Sequence, residues 1–332
     1  MTICVYGAGS IGCYVGGRLA ASGAAVDFVG RERIARQVAG NGLTLTDWRG
    51  TEMRAADARI QIAPDAVAGA DLVLVAVKSG ATAAAGEELA PRIEPGTVVV
   101  SLQNGLRNAE VLREKLPGAI VLAGMVGFNV VGRGEGRFHC STAGELEVQR
   151  HRGLDRWSEA FARAGVPLNQ RDDIGAVQAG KLLINLENAI NALSSLPIKQ
   201  ELSQRAYRRC LALAQREALA AYDAVGLAPA KLTMLPPKWM PTLLGLPDGV
   251  FKRAAGRVLE IDPHARSSMW QDLEAGRPTE VDYLNGEVVG LARRHGLAAP
   301  VNARLVELVH DAERGGRRDW SGRELLADLA GR

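Results

Sequence analysis

The N-terminal stretch TICVYGAGSIGCYVGGRLAAS (residues 2–22) decides the fold of the first part of the chain. Its apolar start, TICVY, predicts a buried strand, and CYVGGRLAAS has the spacing of a helix. Between them, glycines follow the pattern G-x-G-x-x-G, which at a strand-to-helix turn is typical of a loop that binds the pyrophosphate of a dinucleotide. The alternative is a glycine-rich turn without a ligand. The residues expected to contact a cofactor here are Gly7, Ala8, Gly9, Ser10, Ile11 and Gly12.

Apolar runs of strand length recur through the first half of the chain, separated by segments of helix length. Such runs are typical of a parallel sheet covered by helices on both faces. They lie at 24–30, 71–78, 96–105, 119–128 and 165–170. The segment 134–149 alternates differently and predicts an antiparallel hairpin.

The strand pattern ends near residue 170, and amphipathic helices are predicted from there on. They cover 173–195, 199–225, 263–276, 279–295 and 300–312, with a Pro-rich interruption at 235–249. We therefore expect an α/β fold: a Rossmann-type parallel-sheet domain over 1–170 and an all-helical domain over 171–332. A small ligand is expected to bind in the cleft between two such domains.

Composition excludes several classes of function. The chain has 332 residues, 40 of them basic and 37 acidic, so a net charge of +3 gives no indication of nucleic-acid binding. The locally basic segment 315–323 is interpreted as solvated. The four cysteines form no CxxC pair and no metal-ligand cluster. With no leader and no apolar run of membrane-spanning length, a cytoplasmic protein without a membrane partner is predicted.

The end of the second predicted strand, DFVGRER (27–33), bears on the choice of cofactor. An NAD site usually has an acidic residue here, which accepts a hydrogen bond from the ribose hydroxyl. This chain instead has Gly30 and Arg31, and a guanidinium can pair with a 2′-phosphate. We therefore expect NADP, with Arg31 as a contact; the alternative is that Arg31 is an ordinary loop residue.

A second informative stretch, GKLLINLENAINAL (180–193), places a lysine in an apolar helix. Lys181, Asn185 and Asn188 have the spacing i, i+4, i+7 and share one helix face. A buried lysine is costly unless it serves a polar site, and burial lowers its pKa towards values suited to proton transfer. The alternative is a lysine that extends to solvent at the start of the helix.

Three further residues complete the candidate site. Asn104 and Lys78 each follow a predicted strand, where ligands of open α/β sheets bind. Glu280 lies in TEVDYLNG (279–286), and the sequence alone equally supports a first-turn acid after an N-cap at Thr279.

These motifs together resemble the ketopantoate reductase (2-dehydropantoate 2-reductase) family. The resemblance rests on GAGSIG, GRE, VKS, QNG, GKLLIN and SSMWQDLEAGRPTEVDYLNG, and it covers most of the chain. It implies NADPH-dependent reduction of a 2-oxo acid by direct hydride transfer. It also implies Lys181 as general acid and Glu280 as its catalytic partner and a cofactor contact. Further contacts implied by the resemblance are Asn104, Asn185 and Ser268 for the substrate, and Lys78 and Asn104 for the cofactor; we add Asn188 to the substrate contacts.

Two departures from the family pattern bear on which 2-oxo acid is the substrate. Positions at which the family often has asparagine are Ala189 and Ala265 here. The alternatives are a reductase of another 2-oxo acid, a non-catalytic NADP-binding regulator, and a dehydrogenase of the β-hydroxyacid or 6-phosphogluconate type. We expect a small-molecule 2-oxo acid as ligand and leave open a homodimer and the role of 235–262.

Overall fold

The computed structural model describes residues 1–233, 235–254 and 262–331. The chain divides into two compact units, Met1–Ile174 and Gly175–Arg332. In the first unit, apolar strands alternate with helices; in the second, every regular element in the described part is helical.

The N-terminal unit is built on an eight-stranded sheet with the order β12-β11-β8-β7-β6-β1-β2-β5. Its strands are β1 Thr2–Tyr6, β2 Ala25–Val29, β5 Ile60–Gln61, β6 Leu72–Val75, β7 Val98–Ser101, β8 Ile120–Val126, β11 Leu146–Gln149 and β12 Leu168–Arg171. All neighbouring pairs are parallel except β8 and β11. The helices are α1 Ser10–Ala21, α2 Glu32–Val38, α3 Thr82–Leu89, α4 Asn108–Lys115 and α5 Ser158–Arg163. The predicted α/β fold with a Rossmann-type sheet is confirmed.

A second, four-stranded sheet has the order β4-β3-β10-β9, and the sequence did not predict it. Its strands are β3 Leu43–Asp47, β4 Glu52–Ala55, β9 Val130–Gly132 and β10 Arg137–Cys140. The hairpin predicted over 134–149 is wrong. β10 pairs in parallel with β3 of this sheet, whereas β11 pairs with β8 of the large sheet.

The regular elements of the C-terminal unit are helices, as predicted, and several of them pack against α9. The helices are α6 Ile174–Asn185, α7 Glu187–Ser194, α8 Ile198–Leu202, α9 Arg205–Ala224, α10 Met240–Leu244, α11 Asp248–Ala254, α12 Ser268–Glu274, α13 Asn285–Arg294, α14 Pro300–Glu313 and α15 Gly322–Ala330. Leu186 separates α6 from α7, although its backbone stays helical. The helix predicted over 263–276 is shorter, and the one predicted from 279 begins only at Asn285. No helix in the described ranges is both long and apolar enough to span a membrane.

Two segments outside the predicted helices are nevertheless held in place. The Pro-rich segment is held by Arg208 of α9. This fully buried side chain donates to the backbone oxygens of Leu244 and Leu246 in the segment, at 3.2 and 2.7 Å. Within the segment 235–262, whose role the sequence left open, residues 255–261 lie outside the described residues. The segment 315–323 is mostly exposed to solvent, as predicted, but it is also anchored, because the Trp320 amide donates to Leu193 and a capping box at Ser321 starts α15.

Candidate active site

The glycine loop forms the turn between β1 and α1, and each glycine has a distinct steric reason. Gly7 has a φ of +106°, and a Cβ there would lie 2.5 Å from the Val77 amide. A Cβ on Gly12 would lie 2.4 Å from the Gly7 carbonyl oxygen. A Cβ on Gly9 would meet no atom within 4 Å, so the space beside the backbone is open. Gly9 is also the N-cap of α1 and has no side chain to cap it, which leaves the first-turn N–H groups for an anion.

Apart from Glu280, the cofactor candidates lie at the carboxyl edge of four adjacent strands, in the order β2-β1-β6-β7. Arg31 follows β2, the glycine loop follows β1, Lys78 follows β6 and Asn104 follows β7. The chain order reverses between β1 and β6, which is where ligands bind to sheets of this type. Gly30 packs against Ala8 of the loop, where its own Cβ would approach within 2.8 Å, and the Arg31 side chain is exposed. These residues fit a dinucleotide with its phosphates at the start of α1.

A buried polar network joins the ends of β6 and β7. The Ser79 hydroxyl and the Asn108 side chain donate to the backbone oxygen of Asn104, at 3.1 and 2.5 Å. Thr82 donates to the Asn108 carboxamide oxygen (2.7 Å) and accepts from the Gln103 carboxamide (2.6 Å). Because these groups are buried and hydrogen-bonded, they fix the loop that carries Asn104.

In the C-terminal unit, Lys181 lies on α6 and is partly buried, and that burial lowers the pKa of its ammonium group. The helix is fixed to α9 because the Gln215 carboxamide donates to Leu183 at 3.0 Å. The neighbouring Gly180 is packed closely, since a Cβ there would lie 2.5 Å from the Ala230 oxygen. The helix thus holds Lys181 in a defined place and favours release of its proton.

Apart from Asn104, the predicted substrate contacts lie on α6, on α7 and at the start of α12. Asn185 is buried near the end of α6, and Asn188 is partly buried on α7. Ser268 is the first residue of α12, and it is exposed although Ser267 beside it is buried. Lys181 and these three residues therefore belong to the C-terminal unit, whereas Asn104 belongs to the N-terminal unit.

Glu280 does not lie in the first turn of a helix, so the first-turn-acid alternative is wrong. It is partly buried and precedes a 3-10 turn, Val281–Tyr283. The flanking backbone is held by α14: the Thr279 amide donates to Glu313 at 2.7 Å, and His310 pairs with Asp282 at 3.0 Å.

A further group of site-supporting residues has no counterpart in the sequence reasoning. These are Thr82 and Asn108 of the strand-end network, and Asn191 and Glu201 of the helical unit. Ser79 and Gln103 lie within the motifs VKS and QNG, but the sequence predicted no role for them. No local pattern distinguishes such buried polar residues from surface ones on a helix.

Fold and carboxyl-edge residues together define a dinucleotide-binding protein of the Rossmann type. The model of the family described as "Ketopantoate reductase PanE/ApbA" matches residues 3–153, and that of its C-terminal domain matches residues 173–313. The chain therefore belongs to the ketopantoate reductase family. The predicted enzyme class, an oxidoreductase, and the predicted nicotinamide cofactor are confirmed at the level of this family.

Individual relatives extend over nearly the whole chain. A 2-dehydropantoate 2-reductase of Halobacterium salinarum is 32% identical over 95% of this chain and 100% of its own length. A PanE/ApbA family ketopantoate reductase of Ralstonia eutropha JMP134 has a TM-score of 0.82 and 29% identity, covering 95% of this chain and 99% of its own. A D-mandelate dehydrogenase, solved with NADH and anilino(oxo)acetate, shares the fold with a TM-score of 0.79 at 20% identity, covering 95% and 99%.

Proposed function

We propose that this protein is an NADPH-dependent 2-dehydropantoate 2-reductase in which Lys181 is the general acid. The observation that carries the proposal is the partly buried Lys181, whose pKa is lowered by burial, on a helix that also holds Asn185. A structural lysine gains nothing from such desolvation, whereas a proton donor gains acidity from it. The family membership supplies the reaction type.

In the proposed reaction, the substrate is the carbonyl form of a 2-oxo acid. The reduced nicotinamide, when bound, supplies the hydride for carbonyl carbon C2. The Lys181 ammonium stabilises the negative charge that develops on the carbonyl oxygen and donates a proton to it, which yields the 2-hydroxy acid. Glu280 orients Lys181, Ser268 binds the substrate carboxylate, and Asn104, Asn185 and Asn188 bind or orient the substrate.

The proposed preference for NADPH rests on the end of β2. Arg31 is exposed there, and Gly30 closes onto the glycine loop without adding a carboxylate. A guanidinium at this point suits the 2′-phosphate and gives no acceptor to a ribose hydroxyl. Glu280 as an additional cofactor contact belongs to the same proposal.

Steady-state kinetics with 2-dehydropantoate tests the proposal directly, by comparing NADPH with NADH as the reductant. We expect turnover with a higher kcat/KM for NADPH. Purified protein that binds NADPH but oxidises none of it in the presence of any 2-oxo acid would instead identify a non-catalytic regulator.

A second candidate function keeps the reaction and changes the 2-oxo acid. It is favoured by the alanines at two positions where the family often has asparagine: Ala189 is fully buried and Ala265 is partly buried. With alanine instead of asparagine at these two positions, the protein has fewer polar groups, which suits a 2-oxo acid with a less polar side chain. A panel of 2-dehydropantoate, branched-chain 2-oxo acids and benzoylformate, each with NADPH, separates the candidates by kcat/KM.

A further inference from the structure

The start of α12 is anchored on α7 by the residue just before Ser268. The Ser267 amide donates to the Asn191 carboxamide oxygen at 2.9 Å, and the Ser267 hydroxyl donates to the Asn188 backbone oxygen at 3.2 Å. Ser267 is also the N-cap of α12, since its hydroxyl accepts from the Trp270 amide at 3.1 Å. The position of the exposed Ser268 therefore depends on a contact made by its buried neighbour.

Asn191 can make that contact in only one orientation of its carboxamide. Its side chain is fully buried, and its nitrogen donates to the Leu196 oxygen at 2.9 Å and to a Glu201 carboxylate oxygen at 2.8 Å. If the group were reversed, its nitrogen would face the Ser267 amide and its oxygen would face two acceptors. Glu201 and Leu196 thus present the Asn191 oxygen to α12.

The carboxylate that orients Asn191 is itself part of a buried pair. Glu201 is 1% exposed and also accepts from the Ser194 hydroxyl at 3.1 Å. Glu187, which is buried too, is hydrogen-bonded to Glu201; burial raises the pKa of Glu201 to about 7 and that of Glu187 well above its usual range. Two adjacent buried carboxyls cannot both be charged, so the pair holds a proton between them, while one Glu201 oxygen accepts from Asn191 and Ser194.

We propose that Asn191, oriented by Glu201, is a positioning residue that sets the place of Ser268 for the substrate carboxylate. This role rests on the proposed function, in which Ser268 contacts the substrate. It predicts that loss of Asn191 weakens binding of the 2-oxo acid selectively, because the dinucleotide contacts lie on other residues.

The test is a double-substitution cycle with Asn191→Leu and Ser268→Ala, read as KM for the 2-oxo acid, KM for NADPH, and kcat. Each single variant is expected to raise KM for the 2-oxo acid by about tenfold to hundredfold, the range of one hydrogen bond to a charged group. In the Ser268→Ala background, Asn191→Leu is expected to change KM for the 2-oxo acid by less than about twofold. Asn191 acts on the substrate only through Ser268, so the two effects are not additive.

Two comparison variants separate positioning from a general loss of stability. Asn302→Leu removes another fully buried, hydrogen-bonded asparagine of the same unit, so it should lower the melting temperature without raising KM for the 2-oxo acid. Glu201→Gln keeps an acceptor oxygen for Asn191 and should retain a KM close to wild type, whereas Glu201→Leu should raise it.

The outcomes distinguish this role from the proposed function. If Ser268→Ala leaves KM unchanged, the assignment of Ser268 fails and the positioning role fails with it. If Ser268→Ala raises KM but Asn191→Leu does not, or if the two effects add fully, the positioning role alone is overturned. Should Asn191→Leu not fold, hydrogen exchange of the wild-type protein decides: the Ser267 amide is expected to be as protected as α7, and exchange at the rate of a free loop would overturn the role.

Discussion

The carboxyl edge of the parallel sheet and the α6–α7–α12 region differ in how their sequences encode a site. At the sheet edge, each contact follows a strand directly, and the glycine loop is explained by backbone geometry at Gly7, Gly9 and Gly12. In the helical region, the candidate groups are single side chains spread over α6, α7 and α12, and their environment depends on buried partners such as Glu201. The binding site at the sheet edge can be predicted from short sequence motifs. A proton donor depends on the residues packed around it, which are distant in the sequence.

The largest effect expected from this contrast is at Lys181. Replacing it in Lys181→Met should lower kcat by about 10²–10³-fold, the cost of losing one preorganised donor to the developing oxyanion. Affinity for NADPH, measured by fluorescence titration, should stay unchanged because the sheet edge is intact. Lys199→Met, at an exposed lysine of α8, serves as the matched control and should keep full turnover. Comparable turnover in both variants would remove Lys181 from the mechanism.

A smaller effect is expected at the sheet edge itself. Arg31→Ala should weaken NADPH binding by about tenfold to hundredfold, as expected for a lost hydrogen bond to a charged phosphate. Binding of NADH should change little, since NADH lacks the 2′-phosphate. Arg36→Ala is the control, because this exposed arginine of α2 pairs with Glu32. Equal weakening of both dinucleotides would show that Arg31 does not read the phosphate.

The smallest effect concerns the packing that holds the lysine helix. Gly180→Ala should lower the free energy of unfolding by about 1–3 kcal/mol, because the added methyl group overlaps the Ala230 oxygen. Gly175→Ala on the same helix meets no atom within 4 Å and should raise the stability by about 0.5–1 kcal/mol. Urea denaturation measures both, and equal shifts would mean that α6 is not confined at Gly180.

The same contrast explains how much of the fold could be predicted. Strands such as Leu72–Val75 are continuous apolar runs, so the apolar pattern predicted six of the eight strands of the large sheet. The short strand β5 was not predicted, and β11 was assigned to the hairpin. The hairpin over 134–149 failed because Arg137–Cys140 pairs on one side with the preceding strand Val130–Gly132, and on the other with Leu43–Asp47, about ninety residues earlier. Pairing between distant segments leaves no mark on either segment alone.

The residues of the candidate site, like the strands, could be predicted only in part from the sequence. Lys181 stood out because a lysine in an apolar helix conflicts with its surroundings. Glu201 did not, because IKQELSQ (198–204) has the composition of an exposed helix end, although the side chain is buried against Asn191. Burial of a charged residue is decided by helices that pack on it, and a single sequence does not contain that information.

The most direct test of the account is the pH dependence of kcat for reduction of the 2-oxo acid by NADPH. The donor is the Lys181 ammonium, which exists below its pKa, and burial lowers that pKa from the usual 10.5. The account predicts a constant kcat at lower pH that falls as pH rises, with a midpoint below 10.5, and no such fall in the residual activity of Lys181→Met. A kcat that rises through this range, or the same fall in Lys181→Met, would contradict the assignment of Lys181 as the proton donor.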